Sequence, residues 1–352
     1  MTGLTDTQQL NPTNDSGASH QSVRVVLDVM GGDNAPQVVL AGARQVLQSS
    51  NADDTSINLI LVGEAEAIAP LKEEFPQRVE AVPSTEVIEM NEHPAHAVRQ
   101  KKDSSIVVGC NLIKEGKGDA FFSAGSTGGA MTAATLIIGR VRGVKRPAIA
   151  TVIPAPKGLV VMLDAGANTD VEAEYILQFA AMGEIYAHEV LGVEKPRVGL
   201  LNVGEEGTKG SMLAQEAYTL LKENIKGFTG NAEGSDIFAG NFDVIATDGF
   251  TGNIVLKTME GLVGGLFSEI KSIFYSSTKN KLAAAVIKKD LSALKDQLSA
   301  ELIGGAPLLG LQAPVIIGHG SSSATAIANG IRASATATRQ QIPQLIAAAI
   351  TT

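Results

Sequence analysis

The sequence predicts an α/β protein built on a mostly parallel sheet with helical crossovers. Three observations carry that expectation. From Val23 onward, short β-branched runs alternate with longer helical patterns. The runs are nearly continuous in apolar residues, the pattern of strands buried on both faces. Almost every run ends in Gly, Asp, Asn or Ser, residues that turn the chain at a strand end.

Residues 1–22 hold almost no apolar side chains to offset the entropy of ordering, so they are expected to be a disordered tail, with a single domain spanning residues 23–352. The runs then follow in order: VRVVLDV, INLILVG, DAFFSAG, AIATVIPA, LVVMLDAG, RVGLLNVG, FDVIATDG and APVIIG. In open α/β sheets ligands bind outside the carboxyl ends of the strands, so the loops following these runs should converge on one site.

Composition narrows the function. The 352 residues are 44% hydrophobic, enough for a large core. No run approaches the roughly 18 apolar residues that would cross a bilayer, and the first twenty residues lack the order of a secretory signal. Both observations point to an intracellular chain. The lone Cys110 cannot form an internal disulfide, consistent with a reducing compartment. A net charge of −9 and the absence of Trp argue against a nucleic-acid surface.

Residues 261–300 break the rhythm. Leu262, Leu266, Phe267, Ile270, Ile273 and Phe274 recur at three- and four-residue spacing, as do Leu282, Val286, Ile287, Leu291, Leu294 and Leu298. Two amphipathic helices joined near residues 276–280 are expected. The segment is locally cationic through six lysines, Lys271 to Lys295, so its apolar positions suit the core, a second subunit or a membrane surface.

The strand-end loops hold the candidate site residues. Gly31 and Gly32 permit a tight turn, and Asp33 or Asn34 can cap the helix expected near Pro36. This is no GxGxxG fingerprint, so no dinucleotide is implied. In Ser123-Ala-Gly125-Ser126-Thr127-Gly128-Gly129, small residues at a helix start let backbone N–H groups approach an anion, with Ser126 and Thr127 also suited to capping. LNVGEEGTKGS places Lys209 beside Glu205 and Glu206, where the ammonium can neutralise a phosphate or a developing oxyanion. TDGFTGN supplies Asp248, Thr251 and Asn253, and LDAGAN supplies Asn168. His93 and His96 flank Pro94 with no evident third ligand, so no metal is expected. Arg140, Arg142, Lys145 and Arg146 form a basic cluster able to dock an acidic partner.

VIIGHGSSSATA lacks the G-x-S-x-G of a nucleophile elbow, and near-adjacent Ser and His are not expected to reach catalytic hydrogen-bonding geometry. Gly320, Ser321 and Ser322 instead suit a phosphate cradle, with His319 as a polar neighbour.

Taken together, DVMGGDNAP, SAGSTGG, RPAIA, LDAGAN, LNVGEEGTKG, DGFTGNIVLKTMEG and VIIGHGSSSATA resemble, in order, the phosphate acyltransferase family of bacterial phospholipid synthesis. Val29, Ser126 and Gly129 stand where that family has Ala, Asn and Ala. The resemblance implies a three-layer αβα fold related to phosphotransacetylases and isocitrate-dehydrogenase-like enzymes, usually a homodimer. It implies that acyl phosphate is made from acyl-acyl carrier protein and inorganic phosphate, with no cofactor. It further implies peripheral contact with the inner face of the cell membrane through residues 261–300, and a downstream glycerol-3-phosphate acyltransferase as a possible partner. Lys209, Asn168 and Asp248 are the expected catalytic residues. Two readings stay open beside it: a phosphotransacetylase-like enzyme using acyl-CoA, and a non-catalytic phospholigand-binding scaffold at the membrane.

Overall fold

A computed structural model describes residues 21–297 and 304–350. Residues 1–20 of the expected tail, and the end of the helical segment including Leu298, lie outside the described residues.

Twelve strands alternate with helices: β1 (Val23–Asp28), β2 (Ile57–Gly63), β3 (Val79–Pro83), β4 (Ala120–Ser123), β5 (Ala148–Ile149), β6 (Thr151–Ala155), β7 (Gly158–Leu163), β8 (Val198–Leu201), β9 (Phe228–Ala232), β10 (Val244–Ala246), β11 (Ala306–Leu309) and β12 (Val315–Ile317). They form two sheets, where the sequence suggested one. The larger has the order β3-β2-β1-β4-β12-β11-β5 and the smaller β6-β7-β10-β8-β9. Pairing is parallel except where β11 meets β12 and β5, and where β6 meets β7. The run AIATVIPA, expected as one strand, divides at Ala150, whose N–H is donated to the Pro307 carbonyl at 2.8 Å. β5 thus joins the larger sheet and β6 the smaller.

Strand alternation distributes side chains to both faces, giving the three-layer arrangement. On β1, Val23, Val25 and Leu27 face one core, shared with helices Gln37–Gln48 and Ala324–Arg339, while Val26 faces another. Phe121 and Phe122, adjacent on β4 and both fully buried, divide between the same two cores. The core that takes Val26 and Phe121 also takes Met162 of β7 and Ile245 of β10, so one continuous apolar region joins the two sheets. On the other face of the smaller sheet, Val161, Leu163 and Val244 pack against Phe179 and Met182 of helix Ala173–Glu189.

The helix after the first glycine loop opens at Pro36 as expected, but neither Asp33 nor Asn34 caps it through a side chain. Its first-turn N–H groups are met by backbone instead: Val38 donates to the Asn34 carbonyl and Leu40 to that of Pro36.

The amphipathic pair is present as helices Gly249–Tyr275 and Thr278–Gln297, joined at residues 276–277. The first begins at Gly249 rather than Gly261, so it runs unbroken out of a strand-end loop. Val263, Phe267, Ile270 and Phe274 are half-buried, while Leu262, Leu266, Ile273, Leu282 and Val286 are exposed. No described helix is long and apolar enough to cross a membrane.

Candidate active site

The strand-end loops assemble into two polar clusters. The first lies at the carboxyl ends of β1, β4 and β12. Asp28, the last residue of β1, is buried and accepts from Ser123 Oγ at 2.6 Å and from the Met30 N–H at 3.1 Å. Ser123 Oγ in turn accepts from the Gly125 N–H at 3.1 Å. The backbones then approach too closely for side chains: a Cβ at Gly31 would lie 2.6 Å from Gly125 N, and Gly32 has φ +115° with the Gly320 carbonyl close by. The Asp33 N–H is donated to the Gly320 carbonyl at 2.8 Å, and the Gly318 N–H to the Ser123 carbonyl at 2.8 Å. Gly31, Gly32, Asp33, Ser123, Gly125 and Gly320 therefore form one junction, flanked by exposed Thr127, His319 and Ser321. Burial pushes the Asp28 carboxyl above the usual carboxylate range, and the hydroxyl and N–H donors around it oppose that rise.

Ser126 caps helix Thr127–Ala133 by accepting from the Gly129 N–H at 3.2 Å, while Gly128 lies against Pro94. In VIIGHGSSSATA the helix cap is Ser323, which accepts from the Ala326 N–H at 3.2 Å. Gly320, Ser321 and Ser322 form the turn before it. The expectation that neighbouring His and Ser stay apart is corrected: His319 Nδ1 lies 2.8 Å from Ser321 Oγ, and the Ser321 N–H is donated to the same nitrogen at 3.3 Å. A backbone donor on Nδ1 makes that nitrogen an acceptor, which places the proton of the neutral ring on Nε2. Among the described residues no carboxylate bonds His319, so the third member of a triad is missing.

The second cluster lies at the carboxyl ends of β7, β8 and β10. Asp164, buried at the end of β7, accepts from the N–H groups of Ile149 (3.1 Å), Gly166 (3.2 Å), Ala167 (3.0 Å) and Asn168 (2.7 Å), and from Asn168 Nδ2 at 2.8 Å. Because Ile149 belongs to β5, this carboxyl ties the strand ends of the two sheets together. Asn168 Nδ2 also donates to the Pro147 carbonyl at 2.9 Å, and its own carbonyl accepts the Gly249 N–H at 2.8 Å. Asp248 caps helix Gly249–Tyr275, accepting from the Thr251 N–H at 2.8 Å and Thr251 Oγ1 at 2.7 Å. The Asn253 side chain lies against Gly166. Burial raises the Asp164 carboxyl as well, against the pull of its donors.

A cleft of about 280 Å³ opens here, lined by Asn202, Gly210 and Ser211 from one loop, Thr247 and Asp248 from another, and Thr251 from the first turn of the helix that follows it. Two helices present their N-termini to it: Met212–Asn224, capped by Ser211, and Gly249–Tyr275, capped by Asp248. Lys209 adjoins Gly210 on the rim and is exposed; its carbonyl accepts from Asn202 Nδ2 at 3.1 Å, and its side chain passes close over Gly204, as does that of Glu206. Two positive helix ends, one of them fed by the loop that carries Lys209, suit a developing oxyanion.

Three positioning residues escaped the sequence reading: Asp28, Asp164 and Asn231. The carboxyls carry a shared signal, an Asp closing an apolar run two or three residues ahead of a glycine. Asn231 carries none. It ends up buried because β9 places it under the Lys209 loop, where its Nδ2 donates to the Glu206 carbonyl at 2.9 Å.

The comparisons with known proteins agree with this arrangement. A family model described as a fatty acid synthesis protein matches residues 23–345. A phosphate acyltransferase of Desulfitobacterium hafniense is 48% identical over 313 residues, 88% of this chain and 92% of its own length. Another from Halothermothrix orenii is 46% identical over 329 residues, covering 92% of this chain and 97% of the other. Among solved structures, a phosphotransacetylase from Streptococcus pyogenes superposes with a TM-score of 0.59 at 17% identity, covering 90% of this chain and 94% of that one. EutD phosphotransacetylase from Staphylococcus aureus gives 0.57 at 16% identity, with the same coverage. At such identities the solved structures speak for the three-layer α/β fold alone.

Proposed function

The chain belongs to the phosphate acyltransferase family, and from that membership we propose that it transfers the acyl group of a long-chain acyl-acyl carrier protein to inorganic phosphate. The observation that carries this reading is the second cluster's cleft, lined by both ends of the 202–211 loop that carries Lys209 and by the N-terminal turns of two helices, in a sheet whose Asp164 is bonded to β5 of the sheet that holds the first cluster. Phosphate is held by backbone and hydroxyl donors of the glycine loops, those around Gly31–Asp33, Ser123–Gly128 and His319–Ser322. The thioester carbonyl lies toward Lys209.

One oxygen of hydrogenphosphate bonds to the carbonyl carbon while the C–O π pair moves onto oxygen. That pair returns as the C–S bond breaks, and the sulfur leaves with the proton hydrogenphosphate gives up. The products are acyl phosphate and the carrier-protein thiol. No enzyme nucleophile is needed; the protein's share is positioning and charge stabilisation. Asn168 Nδ2 is committed to Asp164 and Pro147, and both Asp248 oxygens to Thr251. These two residues position the loop and the helix, and Thr251 gives its N–H and hydroxyl to Asp248, which leaves Lys209 as the group that meets the oxyanion, while Asn253 packs against Gly166.

The exposed cluster Arg140, Arg142, Lys145 and Arg146 suits the acidic carrier protein. Phosphate-dependent release of free carrier protein tests the reading. The expected result is turnover of long-chain acyl-carrier protein well above that of the matching acyl-CoA. Preferential use of acyl-CoA would favour the phosphotransacetylase alternative, and vesicle binding without thioester cleavage the scaffold.

The exposed apolar positions of the helical pair seat this cytoplasmic enzyme on the inner membrane surface, where a glycerol-3-phosphate acyltransferase can take up the acyl phosphate; a second copy of the chain shares the same region. Replacing Leu266 and Phe267 with Glu is expected to weaken binding to anionic vesicles about tenfold or more, since burying each apolar side chain stabilises by roughly 1.5–3 kcal/mol. Sedimentation of vesicles with the variant measures this. Unchanged vesicle binding with loss of a soluble dimer would assign the face to the subunit interface alone.

A further inference from the structure

The cleft at the second cluster has a side that the transfer reaction at Lys209 leaves unused. Helix Ala173–Glu189 and the first turn of helix Met212–Asn224 contribute only apolar side chains to it, Ile176, Leu213 and Ala214, and β8 adds Leu200 and Leu201. Asn202, Asp248 and Thr251 supply the polar part of the same lining. At the mouth, Val203 is 79% exposed, and the neighbouring Met212, the first residue of its helix, is 88% exposed. Large apolar side chains left in water next to an apolar-walled cleft mark a place where an apolar ligand is covered. Water alone would find few partners along such a wall.

We propose that this cleft is the acyl-chain subsite: the alkyl chain of the thioester lies along the half-buried Leu201, Leu213 and Ala214, over a floor closed by the buried Ile176 and Leu200, entering past Val203, with its carbonyl toward Thr251 and Lys209. The inference rests on the acyltransferase reading, and it commits to an alkyl chain because the apolar wall is continuous with the polar groups that meet the thioester. Chain length is then read by the depth and polarity of this wall. Leu213 and Ala214 discriminate by contact, since a methylene's worth of space in an apolar pocket changes selectivity about tenfold or more.

The test compares phosphate-dependent turnover of palmitoyl- and butyryl-acyl carrier protein by the full chain and two variants. Ala214→Trp fills the cleft and is expected to lower the palmitoyl-to-butyryl ratio of kcat/KM at least tenfold. Leu213→Asn, at a half-exposed position that tolerates a polar side chain, is expected to lower the same ratio severalfold and keeps the test open if the Trp variant does not fold. A ratio within twofold of the unmodified chain in a folded variant, shown by its thermal melt, overturns the subsite. So does an equal fall for both substrates. If the unmodified chain transfers neither acyl group to phosphate, the acyltransferase reading fails first and the subsite goes with it.

Discussion

Lys209→Ala is expected to lower kcat for phosphate-dependent release of carrier protein by two to three orders of magnitude, while the melting temperature stays within a degree or two of the unmodified chain. Removing one donor from a developing oxyanion typically costs about 2.7–4 kcal/mol of transition-state stabilisation. The fold does not depend on this side chain: it is exposed, and the loop is held by backbone through the Lys209 carbonyl to Asn202 and the Lys209 N–H to the Glu206 carbonyl. Alanine keeps both bonds. Steady-state kinetics with phosphate varied at saturating acyl-carrier protein separates the two roles open to the ammonium. A fall confined to kcat places the charge on the transition state, and a rise confined to the KM for phosphate places it on the bound anion. Unchanged turnover removes Lys209 from the site.

Asp164→Ala is expected to cost the fold about 4 kcal/mol or more, read as a shift in the urea midpoint. The carboxyl accepts five N–H bonds from four residues, Ile149 of β5 and three in the loop after β7, and each buried donor left without a partner costs about 1–3 kcal/mol. Asp164→Asn keeps one acceptor oxygen and should lose about half as much. The same variants carry a pH signature. Burial raises the carboxyl's pKa in the folded chain, so between the ordinary carboxylate range and that raised value the folded state binds more protons than the unfolded. Stability contributed by this group is complete below the unfolded value and is lost as pH rises through the folded one. Asp28 acts in the same direction. Asp164→Asn should therefore flatten the decline in stability from acid toward neutral pH without abolishing it. A decline as steep as that of the unmodified chain assigns it elsewhere.

Most of the fold was legible where local pattern suffices. INLILVG is β2 residue for residue, and the break between the amphipathic helices falls where the spacing slips. The strands missed were those whose burial depends on neighbours far along the chain. VEAVP of β3 and FTGNA of β9 mix polar and small residues at sheet edges, and APLL of β11 is four residues around a proline. The division into two sheets was hidden for the same reason: the break at Ala150 is made by Pro307, more than 150 residues away. At the site, the glycine loops announced themselves by composition. Which of them meet did not. The Gly31–Gly125–Gly320 junction is set by the strand order β1-β4-β12, and no spacing along the chain encodes that order. Asp28 and Asp164 were passed over because a buried carboxyl is recognised by its donors, most of which are backbone N–H groups with no side-chain signature.

The helix that starts at the Asp248 cap ends at Tyr275, and at 1.5 Å per residue its 27 residues make a rod about 40 Å long. Such a rod is a lever. A tilt of one degree about Thr251 displaces its far end by roughly 0.7 Å on that length, and conversely a load at Leu266 or Ile273 is felt as torque at the cleft. How faithfully the torque is delivered depends on Gly261, Gly264 and Gly265 midway along, where an added Cβ would meet nothing. Glycine there destabilises the helix locally by roughly 0.5–1 kcal/mol per residue relative to alanine. Stiffening the shaft with alanine would couple the far end to the chemistry more tightly, without touching either.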